Sequence, residues 1–224
     1  MSNVVAVPAN PALVNGVDDF LHAVAHERSN SAEKFIEMVD HMTDRMLSLF
    51  LVEPSQLMAL SGTQKKVIDF AVSTAGKASH MLTRQIYKKT SNKEFAPIVR
   101  NIEAMYWPAG DDNGNQACLV IDAPDDLARD FYEAQKLCEA GNGTAHIELV
   151  ASVFDRLSDE VIDSFFVSNT HEVKIGFVTQ KALNVGIDGS RKAVHAVTNK
   201  VLRGLNDEQL KGFLGHYAGI IRPR

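Results

Sequence analysis

The chain has 224 residues, 45% hydrophobic and 23% charged, with a formal net charge of −5. That profile fits a folded globular protein able to bury a substantial core in one or two domains. Two cysteines, Cys118 and Cys138, form neither a disulfide framework nor a metal-ligand spacing, so a reducing, cytoplasmic setting is expected. The opening MSNVVAVPANPALVNG lacks the basic and apolar regions of a signal peptide, and no apolar run approaches the roughly 20 residues of a membrane span.

In chain order, residues 1–15 hold Pro8, Asn10 and Pro11 without periodicity and read as a loose tail. Val17, Phe20, Leu21 and Val24 predict a helix over 17–28. A second helix is expected over 31–52. Asn30 would cap it with Glu33, Phe35, Val39, Met42, Met46 and Leu49 form its apolar stripe, and Pro54 ends it. Ser61-Gly62 separates this helix from a long one at 63–89. A fourth at 94–105 requires Pro97 to fall in the first turn.

WPAGDDNGNQ, residues 107–116, is the clearest linker. Past it, helices are expected at 122–140, 144–167, 172–203 and 206–221, with a break near 184–190 where Gly186 and Gly189 weaken the third. Cys118 to Ile121 is the only strand-like run, too short and isolated to found a sheet. The small-residue run Ala71 to Ser79 points to close helix–helix approach, and Met38, Met42 and Met46 read as core filler.

Shifted by 115 residues, the chain aligns with itself without a gap. Residues 31–90 and 146–205 share ten identities in 60 positions, and KASHMLT (77–83) meets KAVHAVT (192–198). Where residues differ, their character is kept: Phe35, Val39 and Met42 meet Val150, Phe154 and Leu157. The expected fold is therefore all-α, with two tandem-duplicated antiparallel helical bundle units, 16–106 and 117–224, packed together.

Charge follows the repeat. Residues 1–63 carry −5, 64–100 carry +6, 101–167 carry −11 and 168–224 carry +5. Such segregation speaks to partner choice rather than fold. The repeated polar positions are Glu33, Asp40 and Asp44, matched by Glu148, Asp155 and Asp159. On the following helix they are Lys66, Lys77, His80 and Thr83, matched by Lys181, Lys192, His195 and Thr198. At 100° per residue these lie away from the apolar stripes. A hairpin turning near residue 58 would bring Asp40 level with Lys77, and Asp155 level with Lys192.

Three readings of these positions stay open. They form a solvated charge ladder, with each pair worth about 0–1 kcal/mol. Alternatively, the acidic face of one unit docks on the basic face of the other, or of a second protomer, with Lys66, Lys77, Lys181 and Lys192 on the basic side and the opposed stripes fixing register and orientation. Finally, Asp40, Asp44 and His80, with Asp155, Asp159 and His195, could hold a pair of divalent ions, although bundle metal sites usually project inward. Asp18, His22 and His26 have ligand-like spacing, and Glu37, Asp40, His41 and Asp44 make a dense acidic cluster. Both read first as ordinary helix surface, with weak Mg²⁺ or Ca²⁺ binding the alternative for the second.

Neither cysteine has a His nearby in sequence, and there is no nucleophile elbow or glycine-rich phosphate loop. The basic stretch Lys65 to Arg100 stands beside a block of −11 in an acidic chain, which argues against nucleic acid as the main partner. The run Phe35 to Leu47, the turn at Pro54 and the continuation through AGKASHMLTR (Ala75 to Arg84) resemble the layout of PhoU-type phosphate-signalling regulators. The resemblance implies two similar three-helix bundles. It also implies metal-binding carboxylates near Ser73 and Lys77, where this sequence has none. The expected function is a non-enzymatic cytoplasmic interaction protein whose charged faces serve self-association, as in a homodimer, or partner docking. A PhoU-like metal-responsive bundle is the alternative, and a small-ligand-binding bundle, which would need a cavity, is a third reading; no cofactor is expected, a divalent metal being the one the residues admit.

Overall fold

The computed structural model describes residues 3–110, 116–172 and 175–224. At its centre β1 (Asn3–Pro8) and β3 (Cys118–Ala123) pair antiparallel, with Val5 opposite Ile121 and Ala6 opposite Val120. On the far side of β1 lies β4 (Ile221–Pro223), and on the far side of β3 lies β2 (Tyr106–Trp107). The protein is thus mostly helical but carries a four-stranded sheet. This corrects both the loose tail over 1–15 and the dismissal of Cys118 to Ile121. Val4, Val5 and Val7 are wholly buried, so β1 shows no polar alternation, the signal that marks a half-exposed strand. The partner of each short run lies in the other half of the chain, where no local pattern can reveal it.

The helices of the first half are α1 (Pro11–Ala25), α2 (Ser31–Leu47), α3 (Glu53–Leu57), α4 (Gly62–Tyr87) and α5 (Asn92–Met105). Those of the second are α6 (Asp125–Glu139), α7 (Ile147–Ile162), α8 (Ser168–His171), α9 (Phe177–Lys200) and α10 (Asp207–His216). Wider π-helical turns, Ser48–Val52 and Asp163–Val167, join α2 to α3 and α7 to α8. The starts of β1, the first π-turn, α4, α5 and β2 each recur 115 positions later, at β3, the second π-turn, α9, α10 and β4.

Local chemistry moves several boundaries. α1 starts earlier than expected because the Asn10 side chain accepts the Leu13 N–H at 2.9 Å, with Pro11 at the first helical position. Asn30 makes no side-chain cap; Ser31 instead donates to the Arg28 carbonyl at 2.8 Å. Pro54 does not end the helical path. The π-turn delivers it to the start of α3, where no N–H is required of it. A Ser91–Glu94 capping box starts α5 at Asn92, which leaves Pro97 beyond the first turn.

α9 also runs unbroken through Gly186. A Cβ there would stand 2.3 Å from Leu82 Cδ1, so this glycine permits α4 and α9 to approach rather than breaking the helix. The small-residue run of α4 supplies the other side of that approach: Ala71 is wholly buried, and the same added Cβ would stand 3.9 Å from Ala78 Cβ.

One contiguous core joins the halves, with Phe20, Phe35 and Phe95 from the first and Phe154, Phe213 and Tyr217 from the second. Met38, Met42 and Met46 are buried in it, as expected. Each half's closing strand pairs with the other half's opening strand. The boundaries 16–106 and 117–224 therefore do not mark free-standing bodies. Within the expected linker 107–116, Trp107 belongs to β2, and residues 111–115 lie outside the described residues. Among the described residues no helix is long and apolar enough to cross a membrane.

Candidate functional site

The repeated polar positions sort into two settings. The acidic and histidine positions converge on the seam between α2 and α4, and again between α7 and α9. In the first seam His80 Nε2 lies 3.4 Å from Asp44 and 3.9 Å from Asp40. In the second His195 Nε2 lies 3.2 Å from Asp159 and 4.0 Å from Asp155. The grouping of Asp40, Asp44 and His80, and of Asp155, Asp159 and His195, is as the sequence reading placed it.

The pairing with lysine is not. Asp40 faces His80 and, at 3.8 Å, Arg84, while Asp155 accepts a hydrogen bond from Thr198. Lys77 and Lys192 are exposed and make no ion pair among the described residues. The helices are offset by about one turn from the assumed hairpin register, because the path continues through the π-turn and α3 before it reverses.

Each trio also meets a guanidinium that the sequence reading did not assign. Arg84 serves the first, and Arg191, 3.6 Å from Asp159 and bonded to Asp163, serves the second. Shifted by 115 positions, Arg84 falls on Asn199 and Arg191 falls on Gly76. The two seams thus recruit their cation from different turns, and the identity pattern could not reveal it. Nε2 of His80 and His195, and Oδ1 of Asp40 and Asp159, are buried atoms close to opposite charge but outside hydrogen-bond alignment. Burial pushes the Asp40 carboxyl above its ordinary range, against the pull of His80 and Arg84. Among the described residues no group of three or more His, Cys, Asp or Glu side chains is placed to hold a metal ion.

A second ionic network has no counterpart in the repeat. Arg45 pairs with Glu53 and donates to the Pro8 carbonyl at 2.8 Å; Ser48 donates to Glu53 at 3.0 Å, and His216 lies 3.7 Å away. Burial works to raise the Glu53 carboxyl, but the hydrogen bonds from Arg45 and Ser48 outweigh it and hold the group below its ordinary value. This network ties β1, α2, α3 and α10 together. His22 on α1 and His26 just past its end are exposed, with ring centroids 4.0 Å apart, and His26 contacts the His22 carbonyl. Glu37 of the dense acidic cluster pairs with Lys34.

The other setting is the outer face of the α4/α9 pair. Lys66, Lys77, Lys181 and Lys192 are all exposed there. The large exposed hydrophobic side chains of the described residues are Leu57, Phe70, Met81, Tyr132, Phe177 and Val185, and four of them stand on α4 or α9. Phe70 and Val185 occupy matching positions, 115 apart, each four residues beyond a repeated lysine. Phe177 lies beneath the Lys181 ammonium at 4.5 Å. Lysines interleaved with apolar side chains on a helix face make a surface suited to an acidic partner with apolar contacts of its own. Sequence reasoning found the lysines but missed the apolar members. Their helical spacing from those lysines was the available signal.

Compared with known families, with curated proteins and with solved structures, the chain matches none.

Proposed function

We propose that this chain is an internally duplicated, non-catalytic interaction protein that docks through the outer α4/α9 face, and that the occupant of the face is the acidic half of a second copy. The carrying observation is the concentration of exposed Phe70, Met81, Phe177 and Val185 among Lys66, Lys77, Lys181 and Lys192. Exposed apolar side chains gathered on one surface mark an interaction site more often than a random scatter does. The chain carries a complement: α6 exposes four acids, Asp125, Asp126, Glu133 and Glu139, against two cations, Arg129 and Lys136, with half-exposed Tyr132 among them, within the block of net charge −11. The matched element starts at a 115-residue interval support the duplication, which presents the lysines twice on one surface.

Sedimentation velocity over a range of concentrations tests this. Assembly is expected at low salt and should weaken as ionic strength rises and the Debye length falls below roughly 10 Å. A chain that stays monomeric at all concentrations, or an assembly indifferent to salt, would overturn it.

The recurrence of the His–Asp–Asp trios, with buried atoms outside hydrogen-bond alignment, favours a second reading: a divalent-cation-responsive bundle. Arg84 and Arg191 speak against it, because each already supplies positive charge to its trio. Addition of Mn²⁺ or Zn²⁺ with no thermal shift, in the native chain and in Asp40→Ala and Asp155→Ala alike, would reject it.

A further inference from the structure

Between α2, α4, α7 and α9 the core leaves a cavity of about 110 Å³. Its walls come from both halves, and they are almost wholly apolar: Phe35, Met46 and Leu82 from the first, Val161, Phe165 and Leu183 from the second. Among the described residues no charged side chain lines it. Small residues facing the space, Ala75, Ser79, Gly186 and Ser190, keep it open where larger side chains would fill it.

The hydroxyls around this space divide into two kinds. Thr43 and Ser79 are hydrogen-bonded to each other at 2.7 Å. Ser158, Thr170 and Ser190 each donate to a backbone carbonyl, at 2.8, 2.7 and 2.9 Å. Thr83 and Tyr87 also line the cavity, are only 5% and 4% exposed, and have no hydrogen bond among the described residues. They stand at i and i+4 on α4, so they share one face of the helix. Thr198, which matches Thr83 at the 115-residue interval, has its hydroxyl committed to Asp155. The free hydroxyls therefore belong to the wall that the first half contributes. Neither hydroxyl oxygen is among the fully buried polar atoms that lack a partner, so each is open enough for a ligand group to reach it and supply a hydrogen bond. Tyr87 stays protonated, since burial lifts its phenol far above the ordinary value.

We infer that this cavity binds a small, uncharged, mainly apolar molecule of about one ring's size, whose single hydrogen-bonding group is held by Thr83 and Tyr87. Size sets the upper limit, since an apolar cavity of about 150 Å³ takes benzene or xenon. Charge sets the class, since no lining group among the described residues could compensate a carboxylate or an amine.

The test uses phenol, benzene and benzoate as probes of the full chain, read by calorimetry and by thermal shift. Phenol is expected to bind with 1:1 stoichiometry and to raise the melting temperature, benzene to bind more weakly, and benzoate not to bind. Thr83→Val keeps the shape and removes the hydroxyl. It should weaken phenol by about two- to tenfold and leave benzene unchanged. Ala75→Leu fills the space and should abolish binding of both; Ser190→Val serves the same purpose should the first variant fail to fold. Absence of phenol and benzene binding in the native chain, or binding undiminished in a folded cavity-filled variant, would overturn the site. Benzoate binding as tight as phenol, or phenol affinity unchanged in both Thr83→Val and Tyr87→Phe, would overturn the assigned ligand class.

Discussion

Tyr217, just past the last long helix, donates its phenol O–H to the backbone carbonyl of Phe50 at 2.8 Å, and the two rings stack with centroids 5.7 Å apart. The contact joins the end of the second half to the π-turn of the first, deep in the shared core. Tyr217→Phe should cost about 1 kcal/mol, because the buried Phe50 carbonyl loses its donor. Tyr217→Ala should cost about 3–5 kcal/mol through the space it leaves. Urea unfolding followed by circular dichroism and by fluorescence checks both, and the two probes should report one coincident transition. Separate transitions would mean that the halves fold independently despite their shared sheet.

Two carboxyls should titrate in opposite senses. Glu53 is held below its ordinary value, so its contribution to stability is present above the unfolded carboxylate range and is lost as pH falls through the folded value. Glu53→Gln is therefore destabilising at neutral pH and close to neutral in strong acid. Asp40 is raised, so the fold favours its protonated form. Its contribution is present below the unfolded value and lost as pH rises through the folded one. Asp40→Asn should accordingly match or exceed the native chain in melting temperature at pH 7, with the difference vanishing in acid. Melting curves from pH 3 to pH 8 check both signs at once.

Burial, with a smaller contribution from Asp207, pushes the Cys138 thiol up to about 11, and burial raises Cys118 as well. A thiol so placed is almost entirely protonated at pH 8 and a poor nucleophile. Neither cysteine should react with iodoacetamide in the folded chain at pH 8, and both should react in urea. Mass spectrometry of the alkylated protein reads the result. Rapid labelling of the native chain would contradict the packing described around α6 and β3.

Helical patterning was legible in the sequence wherever one face meets the core and the other meets water. Phe35, Val39, Met42 and Met46 show that face on α2, and all four are buried. The trios were legible because a 100° projection and a repeated identity agree on Asp40, Asp44 and His80. The sheet was not, because Val4 to Val7 are buried on both faces and pair with residues more than 100 positions away. Gly186 misled for a related reason. Its local meaning is a weak helix, and its tertiary meaning is room for Leu82. Arg84 and Arg191 escaped the repeat because they fill equivalent roles from positions that do not align.

Charge exchange tests the docking face most directly. Lys66→Glu with Lys181→Glu reverses two lysines that make no ion pair among the described residues, and Glu133→Lys with Glu139→Lys reverses two of the four exposed acids of α6. Each double variant alone should sediment as monomer under conditions where the native chain assembles, and the two mixed together should recover complexes through the newly matched charges. Native-like assembly of the lysine-reversed chain, or no recovery on mixing, would contradict an interface between α4/α9 and α6.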